Sequence, residues 1–288
     1  MHSKKNIALL LDSRAVGGIE THVLELAIAL QQQQQMVTIV FWQDYGSHPM
    51  EKMAKDAQIE VVKLNGSFIS LLLFLWRAQI QVLHTHGYKA NVMGRFACLA
   101  SSCRSVATFH NGDTGAGKLR AYTWLDQASA VLSRNIAVNT QIANRVKYRT
   151  QVIANFVRLP TVNVMRGSRT HIAFAGRLVP EKGGVVFAEL TTRWPARRFA
   201  VFGAGAEQET MCEISGSNTL YLGQVRTLEP YWSGIDVLVI SSFTEGLPMV
   251  ALEAMSHGVP VIATRVGALP QLIEPGVNGY LADISVDS

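Results

Sequence analysis

Short apolar runs alternate with helix-length segments along almost the whole chain, and this alternation constrains the fold more than any other feature. In the first half Asn6 to Asp12, Met36 to Trp42, Ile59 to Leu64, Gln81 to His84, Ser105 to Phe109, Ala130 to Ser133 and Gln151 to Ile153 read as strands. In the second half His171 to Ala175, Phe199 to Phe202, Asn218 to Leu222, Asp236 to Ile240 and Pro260 to Thr264 do the same. Between them lie helical spacings, such as Val23, Leu26, Ala27 and Leu30 within Ile19 to Leu30, and a helix is expected over Glu181 to Arg193. Strands that alternate with helices form parallel sheets with right-handed crossovers. The two series are parted by Asn155 to Arg169, which lacks periodicity and contains Pro160 and Gly167. An α/β chain of two Rossmann-like domains is therefore expected: residues 1–154, a linker at 155–169, and residues 170–288. A length of 288 residues suits that division.

The charge is unevenly spread. Tyr88 to Thr170 holds twelve Lys and Arg but only Asp113 and Asp126, which is +10 within a chain of net +5. Such a face attracts anionic lipid or phosphorylated substrates. No stacking-aromatic module accompanies it, so nucleic acid is not expected as a partner. Phe68 to Trp76 is the most apolar segment, far short of the ~20 residues of a membrane span. It reads as a buried helix in preference to an interfacial anchor. Gln31 to Gln35 reads as exposed helix surface. Cys98, Cys103 and Cys212 form no metal or redox spacing and suit a reducing compartment. The start of the chain leads into a strand without a signal-peptide pattern, so a cytoplasmic location is expected.

The chemistry concentrates at strand ends. Glu245 follows the apolar run Asp236 to Ile240 and precedes Gly246-Leu247-Pro248, while Glu253 lies eight positions on in a helix-like run. Loops at the carboxyl ends of parallel strands are where open α/β sheets bind ligands. Gly176-Arg177-Leu178-Val179-Pro180-Glu181-Lys182-Gly183 also follows a strand and opens a helix. Its two cations, at a helix N-terminus, suit a diphosphate whose charge grows as a bond to it breaks. Gly17-Gly18 follows the first strand and Gly203-Ala204-Gly205 follows Phe202. Glycines there permit positive φ and let backbone N–H groups approach an anion. His84-Thr85-His86-Gly87 and Phe109-His110-Asn111-Gly112 end two further strands. With no acid or third ligand at a suitable spacing, no metal is expected at these histidines. Gly112 to Lys118 fits Gly-x4-Gly-Lys, but Leu119 stands where a P-loop needs Ser or Thr for magnesium, so the stretch reads as a glycine loop.

The Glu245/Glu253 block and the Gly176 to Gly183 element, in this order, closely resemble the signature motifs of the retaining GT-B glycosyltransferases of family 4. The resemblance runs from about residue 5 to residue 282. It implies two Rossmann-like domains facing a cleft, an N-terminal acceptor domain and a C-terminal nucleotide-sugar domain. It assigns His110, Arg177, Lys182 and Glu245 to catalysis. It assigns Gly17, Gly18, Gly176, Gly203, Gly205, Gln224, Val225, Gly246, Leu247, Pro248 and Glu253 to the donor, and His86 to the acceptor side. Within that scheme Glu253 accepts ribose hydroxyls, Glu245 meets the donor sugar, His110 lies beside it, and Gln224-Val225 cups the base. The implied reaction moves a sugar from a nucleotide diphosphate sugar to a glycan or lipid-linked acceptor with retention. It needs no metal cofactor, and the implied setting is polysaccharide or lipopolysaccharide synthesis at the inner face of the cytoplasmic membrane.

The chain departs from the family pattern after Gly279-Tyr280-Leu281-Ala282-Asp283, where further helices are normal. The C-terminal domain is therefore expected to be incomplete. That keeps two other readings open: a catalytically silent protein that binds a nucleotide sugar or a partner, and a sugar-nucleotide epimerase. Paired glutamates also serve hydrolases, but a hydrolase has no use for the cationic element.

Overall fold

A computed structural model describes residues 4–110, 118–146, 148–160 and 171–283, leaving aside the side chains of 118 and 119. The glycine loop at 112–117 and most of the expected linker lie outside the described residues. The chain divides into two compact units, Met1–Asn155 and Phe156–Ser288.

The first unit runs β1 (Asn6–Leu11), α1 (Gly18–Gln32), β2 (Met36–Phe41), α2 (Pro49–Asp56), β3 (Glu60–Lys63), α3 (Phe68–Arg77), β4 (Val82–His86), α4 (Tyr88–Leu99), β5 (Arg104–Phe109), α5 (Lys118–Ser129), β6 (Arg134–Ala137), α6 (Thr140–Val146) and β7 (Thr150–Val152). Its parallel sheet has the order β3-β2-β1-β4-β5-β6-β7. The central strand β1 is an unbroken apolar run because both its faces are covered. Leu9 and Leu11 join Val23, Leu24, Ala27 and Ile28 of α1 on one face. Ala8 and Leu10 join Leu71 and Leu75 of α3 and Ala90 and Ala97 of α4 on the other. Each fully buried Leu, Ile or Val side chain contributes roughly 1.5–3 kcal/mol. The chain winds outward from β1 to β3, then returns to the far side of β1 with β4. The sheet's topological switch point is therefore between β1 and β4.

The second unit runs β8 (His171–Ala175), α7 (Gly184–Arg193), β9 (Arg198–Phe202), α8 (Gln208–Ile214), β10 (Thr219–Gly223), β11 (Ile235–Ile240), α9 (Met249–Ser256), β12 (Val261–Thr264), α10 (Leu269–Leu272) and β13 (Gly279–Ala282). Its parallel strands have the order β10-β9-β8-β11-β12-β13, with the switch point between β8 and β11. Phe174, Phe187, Phe199 and Met211 fill one face, and Trp232, Leu238, Ala254 and Leu269 the other.

Several expectations are corrected. The segment read as a strand at Ala130 to Ser133 is a 3-10 turn over Ala130–Leu132, and the strand comes immediately after it. Asn135 holds this arrangement, donating from Nδ2 to the carbonyls of Ala130 (2.9 Å) and Tyr148 (2.6 Å). The helix expected from Glu181 begins as a 3-10 turn over Pro180–Lys182 and restarts at Gly184, because Gly183 takes a left-handed φ of 63°. β13 is a strand that periodicity did not show. α3 is not the buried helix expected: Leu71 and Leu75 face the core, but Ile69 is 67% and Trp76 74% exposed. Its run has more apolar residues than one helical stripe can bury. Arg95, counted within the basic stretch, is fully buried against Asp126, with Nη1 to Oδ1 at 2.6 Å. No helix among the described residues is long and apolar enough to cross a membrane.

Candidate functional site

In the second unit the loops that leave β8 and β11 meet at the switch point. Lys182 Nζ donates to Glu245 Oε1 at 2.6 Å, and Ser242 Oγ donates to the same oxygen at 2.7 Å. The Glu245 side chain is nearly buried and that of Lys182 about a quarter exposed. The two loops are also stitched through the backbone, with Phe243 N–H donating to Glu181 O at 2.9 Å and Ser241 Oγ to Gly183 O at 2.7 Å. Arg177 pairs instead with Glu181, Nη2 to Oε1 at 3.0 Å, on the exposed side of the loop. The two cations thus lie in one loop, each beside its own carboxylate.

The glycines hold neighbouring loops close. Gly203 has φ 138°, and a Cβ there would lie 1.8 Å from the Gly176 carbonyl, so the ends of β8 and β9 approach as only glycine allows. Gly176 N–H donates to Phe202 O and Gly203 N–H to Gly223 O. Gly205 follows in the same loop, its Cα side against the backbone of Leu178. Gly246 and Leu247 are buried, and the Gly246 carbonyl accepts from Ala268 N–H at 2.8 Å. Pro248 is the N-cap of α9, with φ −68° and ψ 126°, and Glu253 lies half-buried a turn into that helix. Gln224 is exposed just past β10, and Val225 packs against the core below it. A cation, a nearly buried carboxylate and close-packed backbone loops together suit a ligand that is anionic at one end and rich in hydroxyls at the other.

In the first unit Gly17 is the N-cap of α1 and Gly18 its first residue. The positive φ expected of this pair is not used at Gly17, which is extended at φ −152°. Its carbonyl accepts from Thr21 N–H and Thr21 Oγ1. At the carboxyl ends of β4 and β5, His86 and His110 are buried and hydrogen-bonded, Nδ1 to Nε2 at 3.0 Å. Sequence spacing missed their neighbour. His22, from the second turn of α1, packs edge-on against the His110 ring with centroids 4.8 Å apart. One ring nitrogen from each of His22, His86 and His110 lies within 4.8 Å of the others. His84 packs behind His86, its ring tilted at 31° with centroids 4.4 Å apart, and bonds through Nε2 to Thr108 Oγ1 at 2.7 Å. Burial lowers the pKa of His22 to about 4 and that of His84 to about 3. Burial, reinforced by the neighbouring imidazoles, holds His86 and His110 well below the ordinary histidine value. All four rings are neutral near pH 7. The helical stripe of Val23, Leu24 and Ala27 was the available signal for His22, which lies beside it.

Two family models match. Residues 16–159 match the one described as Glycosyltransferase Family 4, and residues 169–287 the one described as Glycosyl transferases group 1. No curated protein matches the sequence. Among solved structures, Anabaena Alr3699/HepE in complex with UDP and glucose superposes with a TM-score of 0.81 at 18% identity. That match covers 97% of this chain and 86% of the other. Sucrose-phosphate synthase from Thermosynechococcus elongatus gives 0.78 at 18% identity, over 97% and 86%. The apo form of the lipopolysaccharide outer core galactosyltransferase WaaB gives 0.65 at 17% identity, over 98% and 87%.

Proposed function

Because the chain belongs to glycosyltransferase family 4 and has the two Rossmann-like units of a GT-B enzyme, we propose that it transfers a sugar from a nucleotide diphosphate sugar with retention of configuration. The observation that carries this reading is the Lys182–Glu245 contact at the switch point between β8 and β11. It puts a cation for phosphate and a carboxylate for hydroxyls within one ligand's reach. HepE in complex with UDP and glucose supports the donor class.

On this reading the diphosphate lies over the loop from Gly176 to Gly183. Lys182 and Arg177 take up the charge that gathers as the glycosidic bond breaks. Glu245 orients the sugar hydroxyls, Glu253 accepts from the ribose, and backbone groups at Gly203, Gly205, Gly246, Leu247 and Pro248 complete the donor site. Gln224 and Val225 border the base. For the first unit the family resemblance assigns a catalytic part to His110, donor contact to Gly17 and Gly18, and the acceptor side to His86. The acceptor attacks on the face the diphosphate leaves, and the departing phosphate oxygen takes its proton. Protein cations replace a metal in this scheme, so turnover is expected to survive excess chelator.

The acceptor we propose is lipid-linked, met at the inner face of the cytoplasmic membrane during surface-glycan synthesis. The support is the face formed by α3, α4 and α5. Ile69, Leu73 and Trp76, Phe96 and Leu99, and Tyr122, Trp124 and Leu125 are all exposed there. Arg77 and Arg120 lie on the same helices. An apolar face bearing cations suits an anionic bilayer surface.

The test is a thermal-shift screen with UDP-, GDP- and ADP-sugars, followed by product analysis with the donor that binds. A ligand at a hundred times its Kd stabilises by about 2.7 kcal/mol. Stabilisation by one nucleotide class, with transfer to an acceptor, is the expected result. Binding without turnover would leave a silent nucleotide-sugar protein, and free nucleotide released without an acceptor would point to epimerisation.

A further inference from the structure

We propose that His22, His86 and His110 form a binding site for a transition-metal ion of the Zn2+ class in the first unit. The three residues come from different elements. His22 is on α1, His86 ends β4, and His110 follows β5. β4 and β5 are hydrogen-bonded neighbours, with His86 in register with Thr108, so two of the three ligands are placed by a rigid sheet. One nitrogen from each residue lies within 4.8 Å of the others, and the His86–His110 pair is already at 3.0 Å. Three nitrogens bound to a tetrahedral Zn2+ at about 2.0–2.1 Å stand about 3.4 Å apart. Rotation of the His22 side chain on its helix closes most of that difference.

The donor set selects the ion. It holds imidazoles and no carboxylate or thiolate, which suits zinc, copper or nickel and not magnesium, calcium or manganese. His86 Nε2 is buried without a hydrogen-bond partner among the described residues, an arrangement that asks for an explanation. An ion bonded to Nε2 supplies that partner. His84, anchored to Thr108, backs the His86 ring and limits its rotation, as an outer-shell residue of a metal site does. Three imidazoles leave the fourth tetrahedral position open to water or a hydroxyl.

Metal binding here does not rest on the transferase reading.

The experiment is equilibrium dialysis of the full chain, freed of any polyhistidine tag, against Zn2+ with metal analysis, alongside Co2+ absorption spectra. One ion per chain is expected, with a Co2+ spectrum of tetrahedral intensity. His22→Ala and His110→Ala should each weaken binding at least tenfold, whereas His171→Ala should not. Stoichiometric binding that is indifferent to both substitutions would overturn the proposal, as would no binding at micromolar Zn2+. If a variant fails to fold, imidazole 15N shifts of the wild-type chain decide the matter. Movement at His22, His86 and His110 on adding Zn2+ supports the site, and movement only at other histidines overturns it.

Discussion

Lys182 Nζ stands 2.6 Å from Glu245 Oε1, and this contact joins the loop after β8 to the loop after β11 across the switch point of the second unit. A nearly buried carboxylate with one cationic partner is costly to leave alone. A diphosphate arriving there would share Lys182 with Glu245, not displace it. The pair therefore has a structural part and a binding part, and substitutions separate them. Lys182→Met should destabilise the chain by roughly 1–3 kcal/mol, because among the described residues Glu245 then keeps Ser242 alone. The double variant Lys182→Met with Glu245→Gln should regain most of that stability while nucleotide diphosphate affinity stays down at least tenfold, about 1.4 kcal/mol. Denaturant titration and calorimetry measure the two parts. Recovery of both stability and affinity in the double variant would remove Lys182 from the phosphate site.

The two glutamates should behave differently. Glu253 lies a turn into α9, and Glu245 lies in the loop before it. Glu253→Gln should weaken binding of the bare nucleotide by roughly 1.5–3 kcal/mol, the worth of hydrogen bonds to a charged acceptor. Glu245→Gln should alter discrimination among donor sugars more than affinity for the nucleotide. Calorimetry with nucleotide and with nucleotide sugar reads both. Unchanged nucleotide affinity in a folded Glu253→Gln variant would move the nucleotide elsewhere.

The division into two parallel α/β halves was legible because β1, β2, β11 and their like are largely buried and so appear as nearly continuous apolar runs, interrupted only by a residue such as Thr38 in β2 or Asp236 in β11. The strand-end loops could be read for the same reason: once a strand is placed, its carboxyl end is placed too. What brings residues together across the sheet was not legible. Nothing in local spacing says that α1 returns over β1 and brings His22 to His86 and His110. Arg95 was counted as surface charge, yet Asn91, Arg95 and Cys98 recur at helical spacing on the buried side of α4. A count of charge over a segment ignores that periodicity. The left-handed turn at Gly183 broke an expected helix because the loop must pass close to the Ser241 carbonyl.

Arg95 and Asp126 give a stability prediction independent of any ligand. Arg95 Nη1 donates to Asp126 Oδ1 and to the Asp126 carbonyl, and Asn91 Nδ2 donates to the other carboxylate oxygen. Asp126→Ala leaves a buried guanidinium without its counter-charge and should cost about 3–5 kcal/mol. The paired change Arg95→Met with Asp126→Leu should be much milder. If Asp126→Ala costs under 1 kcal/mol by urea unfolding, this account of the pair is wrong.

The buried histidines set the acid limit of the first unit. A histidine whose pKa is lower folded than unfolded binds fewer protons in the native state. Its effect is absent above the unfolded value, near 6.5, and destabilises progressively as pH falls toward the folded value. For His22 that window runs from 6.5 down to about 4, with up to about 3 kcal/mol at stake. His84, His86 and His110 act in the same direction. Thermal midpoints should fall steeply between pH 6.5 and 4, and His22→Phe should flatten that slope. An equal slope in the variant would show that His22 titrates normally.

The face of α3, α4 and α5 should bind an anionic membrane surface. Trp76 is 74% and Trp124 67% exposed, an unusual presentation for the largest apolar side chain. If the face rests on lipid, indoles at that level lie in the interfacial zone while Arg77 and Arg120 meet anionic headgroups. Binding to vesicles containing anionic lipid should then exceed binding to neutral ones and weaken with salt, since the Debye length contracts from about 10 Å at 0.1 M to about 3 Å at 1 M. Trp76→Ala with Trp124→Ala should reduce binding at every salt concentration, whereas Arg120→Gln should reduce it mainly at low salt. The distinction matters because charge alone would give only the salt-dependent part. Arg95, for all its place in the basic stretch, should not contribute, being occupied with Asp126 inside the fold. Vesicle sedimentation with tryptophan fluorescence separates these cases. Equal retention on neutral and anionic vesicles at low salt, or no effect of the double tryptophan change, would show that the face meets something other than a membrane.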